Sequence, residues 1–153
     1  MQMLIAGLDQ LEKVYNIVRT TIEEVYPHYY PAGAVTFFLS HHQRSHIEDD
    51  LRSASVYLFA IDGQAFATCT VRGNELCRFF VLPPYQGQGY GREIMDQLEQ
   101  LLWKKYNTIT LDASLPALSM YRRRGYREVA YTRLLVDGGD YLCYWTMELK
   151  KDS

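Results

Sequence analysis

Residues 78–106, RFFVLPPYQGQGYGREIMDQLEQLLWKKY, contain the stretch that decides the fold. An apolar run that ends at Val81 predicts a strand, and apolar residues at helical spacing predict a helix from about Arg92 to Lys105. Three glycines lie between strand and helix at alternate positions: Gly87, Gly89 and Gly91. The first N–H groups of a helix have no partner within it, and glycines let an anion approach the backbone, so this loop predicts a phosphate-binding site.

The spacing of these glycines excludes two of three known phosphate loops. A P-loop requires a Lys-Ser or Lys-Thr pair after its last glycine, and none follows here. A dinucleotide loop has GxGxxG within a βαβ unit, whereas these glycines are spaced GxGxG and follow an antiparallel meander. The third pattern, Q/R-x-x-G-x-G/A, is matched by Gln86, Gly89 and Gly91.

The rest of the chain predicts one mixed α/β domain over residues 1–153. A helix with an Asp9–Glu12 capping box is expected before Pro27, followed by two short helices around 32–39 and 45–54. A further short helix is expected around 116–124. The predicted strands are 55–61, 64–71, 75–81, 108–113, 128–136 and 141–149, with an Asp62-Gly63 hairpin turn after the first.

Composition narrows the class of protein. The 153 residues are 48% hydrophobic and 22% charged with a net charge of −2, which is typical of a folded domain and argues against a nucleic-acid partner. No apolar stretch approaches the ~20 residues of a membrane span, and no signal peptide is evident, so we expect a cytoplasmic protein without a membrane partner. Three cysteines in no metal-binding spacing predict free thiols.

With the segment ALSMYRRRGYREV, the loop resembles the GNAT superfamily of N-acetyltransferases. Tyr121, Gly125 and Tyr126 fill the positions of that superfamily's second signature, and the order of predicted elements follows the superfamily over nearly the whole chain. The resemblance implies a mixed, mostly antiparallel sheet flanked by helices. It also implies an acyltransferase that takes acetyl from acetyl-CoA.

The resemblance further implies where acetyl-CoA would bind. The loop amides would hold the pyrophosphate, and the main chain near Phe80 and Val81 would pair with the pantetheine arm. Ser114 stands where many members have an Asn that contacts this arm, so it either keeps that contact or only caps the next helix. The expected cofactor-binding residues are Phe80, Val81, Gln86, Gly87, Gln88, Gly89, Tyr90, Gly91, Arg92 and Ser114.

Acetyl transfer to an amine requires a base, oxyanion donors and a proton for the leaving thiolate. Tyr121 occupies the position of the superfamily's general acid, and the Val81 N–H that of its oxyanion donor. Glu75 stands eleven residues before Gln86, near where some histone acetyltransferases carry a basic Glu. Strand alternation predicts that Glu75 shares a face with Cys77, Phe79 and Val81, and a solvent-facing glutamate at the hairpin end is the alternative.

The acceptor side of the site is less defined by the sequence. His28, Tyr29 and Tyr30 follow the first helix, where this fold forms the acceptor side of its cleft. The stretch HHQRSH has the spacing of a metal pair, but the chemistry needs no metal, so we interpret it as a solvated polar face. The basic run YRRRGYR predicts a helix C-terminus.

The function that follows is direct transfer of acetyl from acetyl-CoA to a primary amine, in a small molecule or a peptide. The resemblance does not identify the acceptor amine. It also implies that a homodimer is one possible oligomeric state. Two alternatives stay open: an acyl-CoA-binding sensor or interaction module without catalysis, and a nucleotide-binding protein of another fold.

Overall fold

The computed structural model describes residues 1–152, which form seven strands and five α-helices around one sheet. The strands are β1 (Gln2–Ile5), β2 (Val56–Ile61), β3 (Gln64–Arg72), β4 (Glu75–Val81), β5 (Thr108–Ala113), β6 (Arg127–Leu135) and β7 (Tyr141–Lys150). The helices are α1 (Leu11–Val25), α2 (Ala32–His41), α3 (Arg44–Arg52), α4 (Tyr90–Leu102) and α5 (Leu118–Arg123).

The sheet has the order β1-β2-β3-β4-β5-β7-β6. Every neighbouring pair is antiparallel except β4 and β5, which run parallel. The connection between these two parallel strands contains the glycine loop and α4, as a parallel pair requires a crossover. The predicted mixed, mostly antiparallel sheet flanked by helices is therefore confirmed.

Each face of the sheet is covered by its own apolar core. Residues of α4 pack on one face, where Ile94, Met95 and Leu98 have no exposed surface. Residues of α1 and α3 pack on the other face, where Val14 and Ile47 are equally buried. Burial of one such side chain contributes about 1.5–3 kcal/mol, so the two amphipathic helix faces hold α1 and α4 against the sheet.

Two local predictions need correction, and a third is confirmed. The sequence patterns missed β1, a four-residue edge strand that pairs with β2. The Asp9–Glu12 capping box is absent: α1 begins without a side-chain cap, and the Gly7 amide instead donates to Gln10 Oε1 at 3.1 Å. The turn Asp62-Gly63 is as predicted, with φ of 52° and 78°.

Strand β4 is bent by a β-bulge at Arg78 and Phe79. Thr68 pairs with Phe80 and Thr70 with Cys77, so two residues of β4 oppose one residue of β3. Arg78 has a φ of +50°, which the bulge imposes on a side chain that disfavours it. The predicted shared face of Glu75, Cys77, Phe79 and Val81 is therefore wrong, because the bulge reverses the alternation within the strand. Leu76 and Phe79 pack with the α4 core, and Phe80 packs with the α1 core.

Candidate active site

A gap opens in the middle of the sheet between β4 and β5. The two strands pair only at Glu75–Thr110 and Leu76–Leu111, at the start of β4, and have no paired residues beyond. The bulge at Arg78 follows two residues after this pairing ends at Leu76, and the backbone of β4 beyond Leu76 has no strand partner on the β5 side.

Val81 presents its backbone to this gap. The Leu82 N–H donates to Phe66 O of β3 at 2.9 Å. Because backbone groups point alternately to the two sides of a strand, the Val81 N–H and C=O point away from β3. The Val81 carbonyl accepts a hydrogen bond from Gln86 Nε2 at 2.8 Å. The Val81 N–H is thus aimed into the gap, at the end of the strand that precedes the glycine loop.

The glycine loop joins β4 to α4 with two residues in the left-handed region. Gly87 has a φ of +74°, and Gly89, at the N-cap of α4, has a φ of +88°. No atom lies within 4 Å of a Cβ built on either residue, so the requirement for glycine is conformational rather than steric. Gln88 Nε2 donates to Pro84 O at 2.7 Å and closes the loop onto the turn before it. The first N–H groups of α4, which have no partner within the helix, therefore lie beside an open loop, an arrangement that is able to bind an anion.

Two cavities lie at this gap. One, here the loop cavity, has a volume of about 250 Å³ and is lined on the loop side by Val81, Gln86, Gly87 and Gly91. The other, here the α2 cavity, has a volume of about 280 Å³ and includes Glu75 and Tyr121 in its lining. The residues that line both cavities are Tyr26, Phe79, Phe80 and Ser114. These shared residues make the two cavities neighbours across the end of β4.

Tyr121 lies deep in the α2 cavity. Its side chain extends from α5 and is 5% exposed, and its ring contacts that of Tyr126 edge-on at 5.6 Å. The hydroxyl makes no hydrogen bond to residues 1–152, yet it is not among their fully enclosed unpaired polar atoms, so it faces open space. Burial raises the pKa of Tyr121 above its ordinary value of 10, so the phenol keeps its proton.

Glu75 also lines the α2 cavity, at the start of β4. It pairs through the backbone with Arg72 across the β3–β4 turn and with Thr110 of β5. Within residues 1–152 no side chain forms a salt bridge with its carboxylate. A half-buried carboxylate without an ion pair is able to accept a proton from a group in the cavity.

The walls of the α2 cavity come from distant parts of the chain. Phe37 and Phe38 of α2 stand on one side, and Leu134, Leu142 and Tyr144 of β6 and β7 on another. The two sides are joined where the Gly33 N–H donates to Asp140 Oδ2 at 2.8 Å. A Cβ at Gly33 would lie 1.9 Å from Asp137 O, so only glycine permits this approach of α2 to the β6–β7 turn.

Several residues that the sequence assigned to the site lie outside both cavities. Gln88, Gly89 and Arg92 are exposed around the start of α4, and the Tyr90 ring packs on Phe66 at 5.0 Å between centroids. His28 and Tyr29 are exposed, and Tyr30 is buried in the α1 core, where its hydroxyl accepts a hydrogen bond from the Leu115 N–H at 2.7 Å. Ser114, in contrast, lines both cavities, and its side chain does not cap the following turn.

Other residues of the site were missed or misjudged from the sequence. Tyr26 lines both cavities four residues from the predicted Tyr30. The HHQRSH stretch is not a solvated polar face throughout, because His41 and His42 line the α2 cavity and burial lowers the pKa of both. Arg78 also lines this cavity, and its side chain is only 6% exposed. An arginine inside an otherwise apolar strand was the available signal for this last position.

The comparison with protein families decides the assignment. Residues 25–150 match the acetyltransferase (GNAT) domain. The chain belongs to the GNAT acetyltransferase family. Acetyl-CoA is the acyl donor of this family, and the matched segment contains the glycine loop and every residue that lines the two cavities except Thr21. The resemblance seen in the loop and in the ALSMYRRRGYREV segment is thereby confirmed.

Solved structures of GNAT proteins share this fold. A GCN5-related N-acetyltransferase from Rhodopseudomonas palustris superposes with a TM-score of 0.86 at 18% identity, over 97% of this chain and 94% of that chain. A PaiA N-acetyltransferase from Thermoplasma acidophilum, solved with coenzyme A, gives 0.74 at 18% identity over 97% and 98%. YncA, a putative acetyltransferase from Salmonella typhimurium solved with acetyl-CoA, gives 0.74 at 13% identity over 100% and 95%.

No curated protein matches this GNAT sequence significantly. Within residues 1–152 there is no group of three or more His, Cys, Asp or Glu side chains placed to hold a metal ion. The helices of this same part of the chain are all too short or too polar to cross a membrane. Cys69, Cys77 and Cys143 are free thiols, of which Cys69 is buried.

Proposed function

We propose that this protein transfers acetyl from acetyl-CoA to a primary amine by direct attack within a ternary complex. One observation carries the proposal: the gap between β4 and β5 has an anion-binding loop on one side and a cavity with a carboxylate and a phenol on the other. A thioester in the gap would have its phosphates at the start of α4 and its acetyl group near Val81.

The donor would be held mainly by backbone groups. The amides of the loop, residues 86–92, face the pyrophosphate, with Gln86, Gly87 and Gly91 closest to the loop cavity. The edge of β4 at Phe80 and Val81, which has no strand partner on the β5 side, supplies backbone hydrogen bonds for the pantetheine arm. Ser114 contacts the same arm in this proposal, which its position in the lining of both cavities supports.

The chemical step follows from three groups at the gap. Glu75 takes one proton from the ammonium form of the acceptor, whose pKa is near ~10 in water. The amine nitrogen then bonds to the thioester carbon, and the Val81 N–H stabilises the oxyanion. Collapse of this intermediate breaks the carbon–sulfur bond and expels the CoA thiolate. Tyr121 supplies the proton for the thiolate, and the proton still carried by the new amide nitrogen leaves to restore the phenol.

Direct transfer is preferred to a covalent acyl-enzyme. The cysteine that lines the α2 cavity is Cys77, and burial raises the pKa of its thiol to about 11. A thiol is a nucleophile only as its thiolate, so Cys77 is unreactive near neutral pH. The amine itself is therefore the nucleophile in this proposal.

The first experiment is calorimetric titration of the purified protein with acetyl-CoA, with ATP and NAD as controls. We expect saturable binding of acetyl-CoA and none of either control. Protein with bound acetyl-CoA is then supplied with a panel of primary amines, and release of the free CoA thiol is measured. Binding of acetyl-CoA without release for any amine would favour the alternative of a non-catalytic acyl-CoA sensor. Absence of binding in folded protein free of CoA would refute the proposal.

A further inference from the structure

A chain of three side chains from three elements ends in the α2 cavity. Asp50 of α3, which is 9% exposed, forms an ion pair with the Arg78 guanidinium at the β4 bulge. Asp50 also accepts hydrogen bonds from Arg72 at 2.7 and 2.8 Å. Arg78 Nε donates to Nδ1 of His42, the C-cap residue that follows α2, at 3.0 Å. The carboxylate thus orients the guanidinium, and the guanidinium orients the imidazole.

The hydrogen bond from Arg78 determines the tautomer of His42. A guanidinium Nε–H can only donate, so Nδ1 of His42 must be the unprotonated nitrogen. The proton of the neutral ring therefore lies on Nε2. Within residues 1–152 Nε2 has no hydrogen-bond partner, and it is not among their enclosed unpaired polar atoms, so it is open to the cavity that the residue lines.

The surroundings of His42 keep its ring neutral. The ring stacks on Phe38 and meets Phe80 edge-on at 5.5 Å between centroids. The groups that act on its charge are Arg78, His41, His46 and Arg72, all of which disfavour a protonated ring, while Glu75 and Cys77 line the same cavity and Asp50 is paired with Arg78. Burial first, and these arginines and histidines second, hold the pKa of His42 well below its ordinary value of 6.5.

We propose that His42 binds the acceptor as a fixed hydrogen-bond donor, through Nε2–H, and that Arg78 and Asp50 are positioning residues that lock this tautomer. The inference rests on the proposed acetyl transfer and specifies its substrate class. The acceptor is a small primary amine with an apolar body, which packs against Phe37, Phe38 and Tyr144, and with an oxygen that accepts the His42 hydrogen bond.

The same geometry excludes a rival role for His42. A neutral ring whose Nδ1 accepts from Arg78 and whose Nε2 carries the proton has no free lone pair for the amine proton. His42 is therefore not the general base of the reaction, and this role remains with Glu75. A hydrogen-bond donor that keeps its proton throughout contributes to acceptor affinity and selectivity rather than to proton transfer.

The tautomer is tested first, by nitrogen-15 NMR of protein labelled at histidine. We expect His42 to show the Nε2–H pattern at neutral pH and to keep it well below pH 6.5. In Arg78→Met the locked pattern should be lost, whereas in Arg19→Met, which removes an exposed arginine of α1, it should persist. An Nδ1–H tautomer in the wild type, or a protonated ring at neutral pH, would overturn the inference.

The role in acceptor binding is tested by kinetics with matched pairs of amines. Phenylalaninamide is compared with 2-phenylethylamine, and leucinamide with 3-methylbutylamine. Each pair shares a carbon frame and differs only in a carboxamide. We expect His42→Phe to lower the preference for the carboxamide about 10-fold through the KM of the acceptor, with the KM of acetyl-CoA unchanged. His42→Gln, whose amide nitrogen reaches the Nε2 position, should restore most of the preference, and His46→Phe on α3 should not alter it.

The outcomes separate this inference from the proposed function. Transfer with the same carboxamide preference in His42→Phe as in the wild type would overturn the inference and leave the proposed function standing. A wild type that transfers acetyl without any preference for the carboxamide would likewise overturn the inference and leave the proposed function standing. Absence of transfer to every amine, with acetyl-CoA bound, would refute the proposed function and the inference together.

Discussion

The ring of Tyr121 is buried, but its hydroxyl has no hydrogen-bond partner within residues 1–152. The ring is 5% exposed, and burial raises the pKa of its phenol above 10, so the proton is present over the whole working range of pH. The hydroxyl does not stabilise the fold through any hydrogen bond within residues 1–152. Its removal should therefore affect chemistry more than stability.

Tyr121→Phe should lower kcat about 100-fold while the affinity for acetyl-CoA stays unchanged, because the general acid is lost and the ring remains. Steady-state kinetics and calorimetry on the same preparation measure the two quantities. Tyr126→Phe is the matched control, since its hydroxyl donates to Glu99 at 3.1 Å rather than facing the cavity. It should lower stability and spare kcat. An unchanged kcat in Tyr121→Phe would remove Tyr121 from the mechanism.

At the scale of elements, the proposed site for the pyrophosphate is formed jointly by the glycine loop and α4. Gly89 begins α4 in a left-handed conformation that directs the first N–H groups of the helix outward. A β-branched residue disfavours this conformation by about 1–2 kcal/mol. The loop would then relax toward another path, and the site for the pyrophosphate would be lost.

Gly89→Val should weaken acetyl-CoA binding at least about 100-fold, as calorimetry would show. Gly63→Val is the matched control, because Gly63 has a φ of +78° and equally open surroundings in the β2–β3 turn. Both variants should lose similar stability, and only the first should lose binding. Equal affinity in the two variants would mean that the loop does not hold the cofactor.

The short helix α5, which carries Tyr121, depends on an ion pair with α4. Six residues are too few for an independent helix. Arg124 donates from Nε and Nη2 to the two carboxylate oxygens of Glu99, at 2.9 Å each. Its Nη2 also donates to Asp96 Oδ1 at 2.7 Å. The side chains of Arg124 and Glu99 are 14% and 12% exposed, so this bidentate pair is largely shielded from water.

Arg124→Met should lower the free energy of unfolding by about 3 kcal/mol, because Glu99 would be left buried without its partner. The double variant Arg124→Met with Glu99→Gln should recover part of this loss, as urea unfolding would show. Arg122→Met, which removes an exposed ion pair with Glu128, should change little. A loss in Arg124→Met no larger than that in Arg122→Met would show that the pair does not anchor α5.

For the whole molecule, His42 makes the free energy of unfolding depend on pH. Its pKa is lowered on folding, so the unfolded chain binds more protons below pH 6.5 than the folded chain. The free energy of unfolding therefore falls as pH decreases through this range. The contribution of His42 is present in full above about pH 7 and is lost progressively below it.

Between pH 7.5 and 5.5 the wild type should lose about 1 kcal/mol more of its free energy of unfolding than His42→Gln, which cannot take up a proton. Urea unfolding at a series of pH values measures the difference. His46→Gln provides the control for an exposed histidine and should follow the wild type. Parallel pH curves for the wild type and His42→Gln would contradict a lowered pKa of His42.

The oligomeric state of the protein stays a prediction. Strand β6 is an edge of the sheet, and Val129, Tyr131 and Leu135 on it are more than half exposed. Exposed apolar residues on a sheet edge are compatible with self-association. Sedimentation analysis would decide between a monomer and the predicted homodimer.

The elements of this fold were largely predictable because their signals are local. The period of apolar residues identified the helices, the alternation of apolar residues identified most strands, and glycines marked the loop at Gly87 and Gly89. Strand β1 was missed because four residues are too few for a pattern. The bulge at Arg78 was missed because it depends on the pairing of β4 with β3, which is not local.

The sequence by itself determined the family, the order of the elements from α1 onward and the position of the glycine loop, because each depends on residues close together in the chain. Only the tertiary structure decided which side chains face the gap. The bulge at Arg78 depends on the pairing of β4 with β3. The approach of α2 to the β6–β7 turn at Gly33 joins residues 107 positions apart, and the contact of Arg78 with His42 joins residues 36 positions apart. Such contacts depend on how the sheet and the helices pack against each other. For this reason the sequence did not show that His41 and His42 line the α2 cavity.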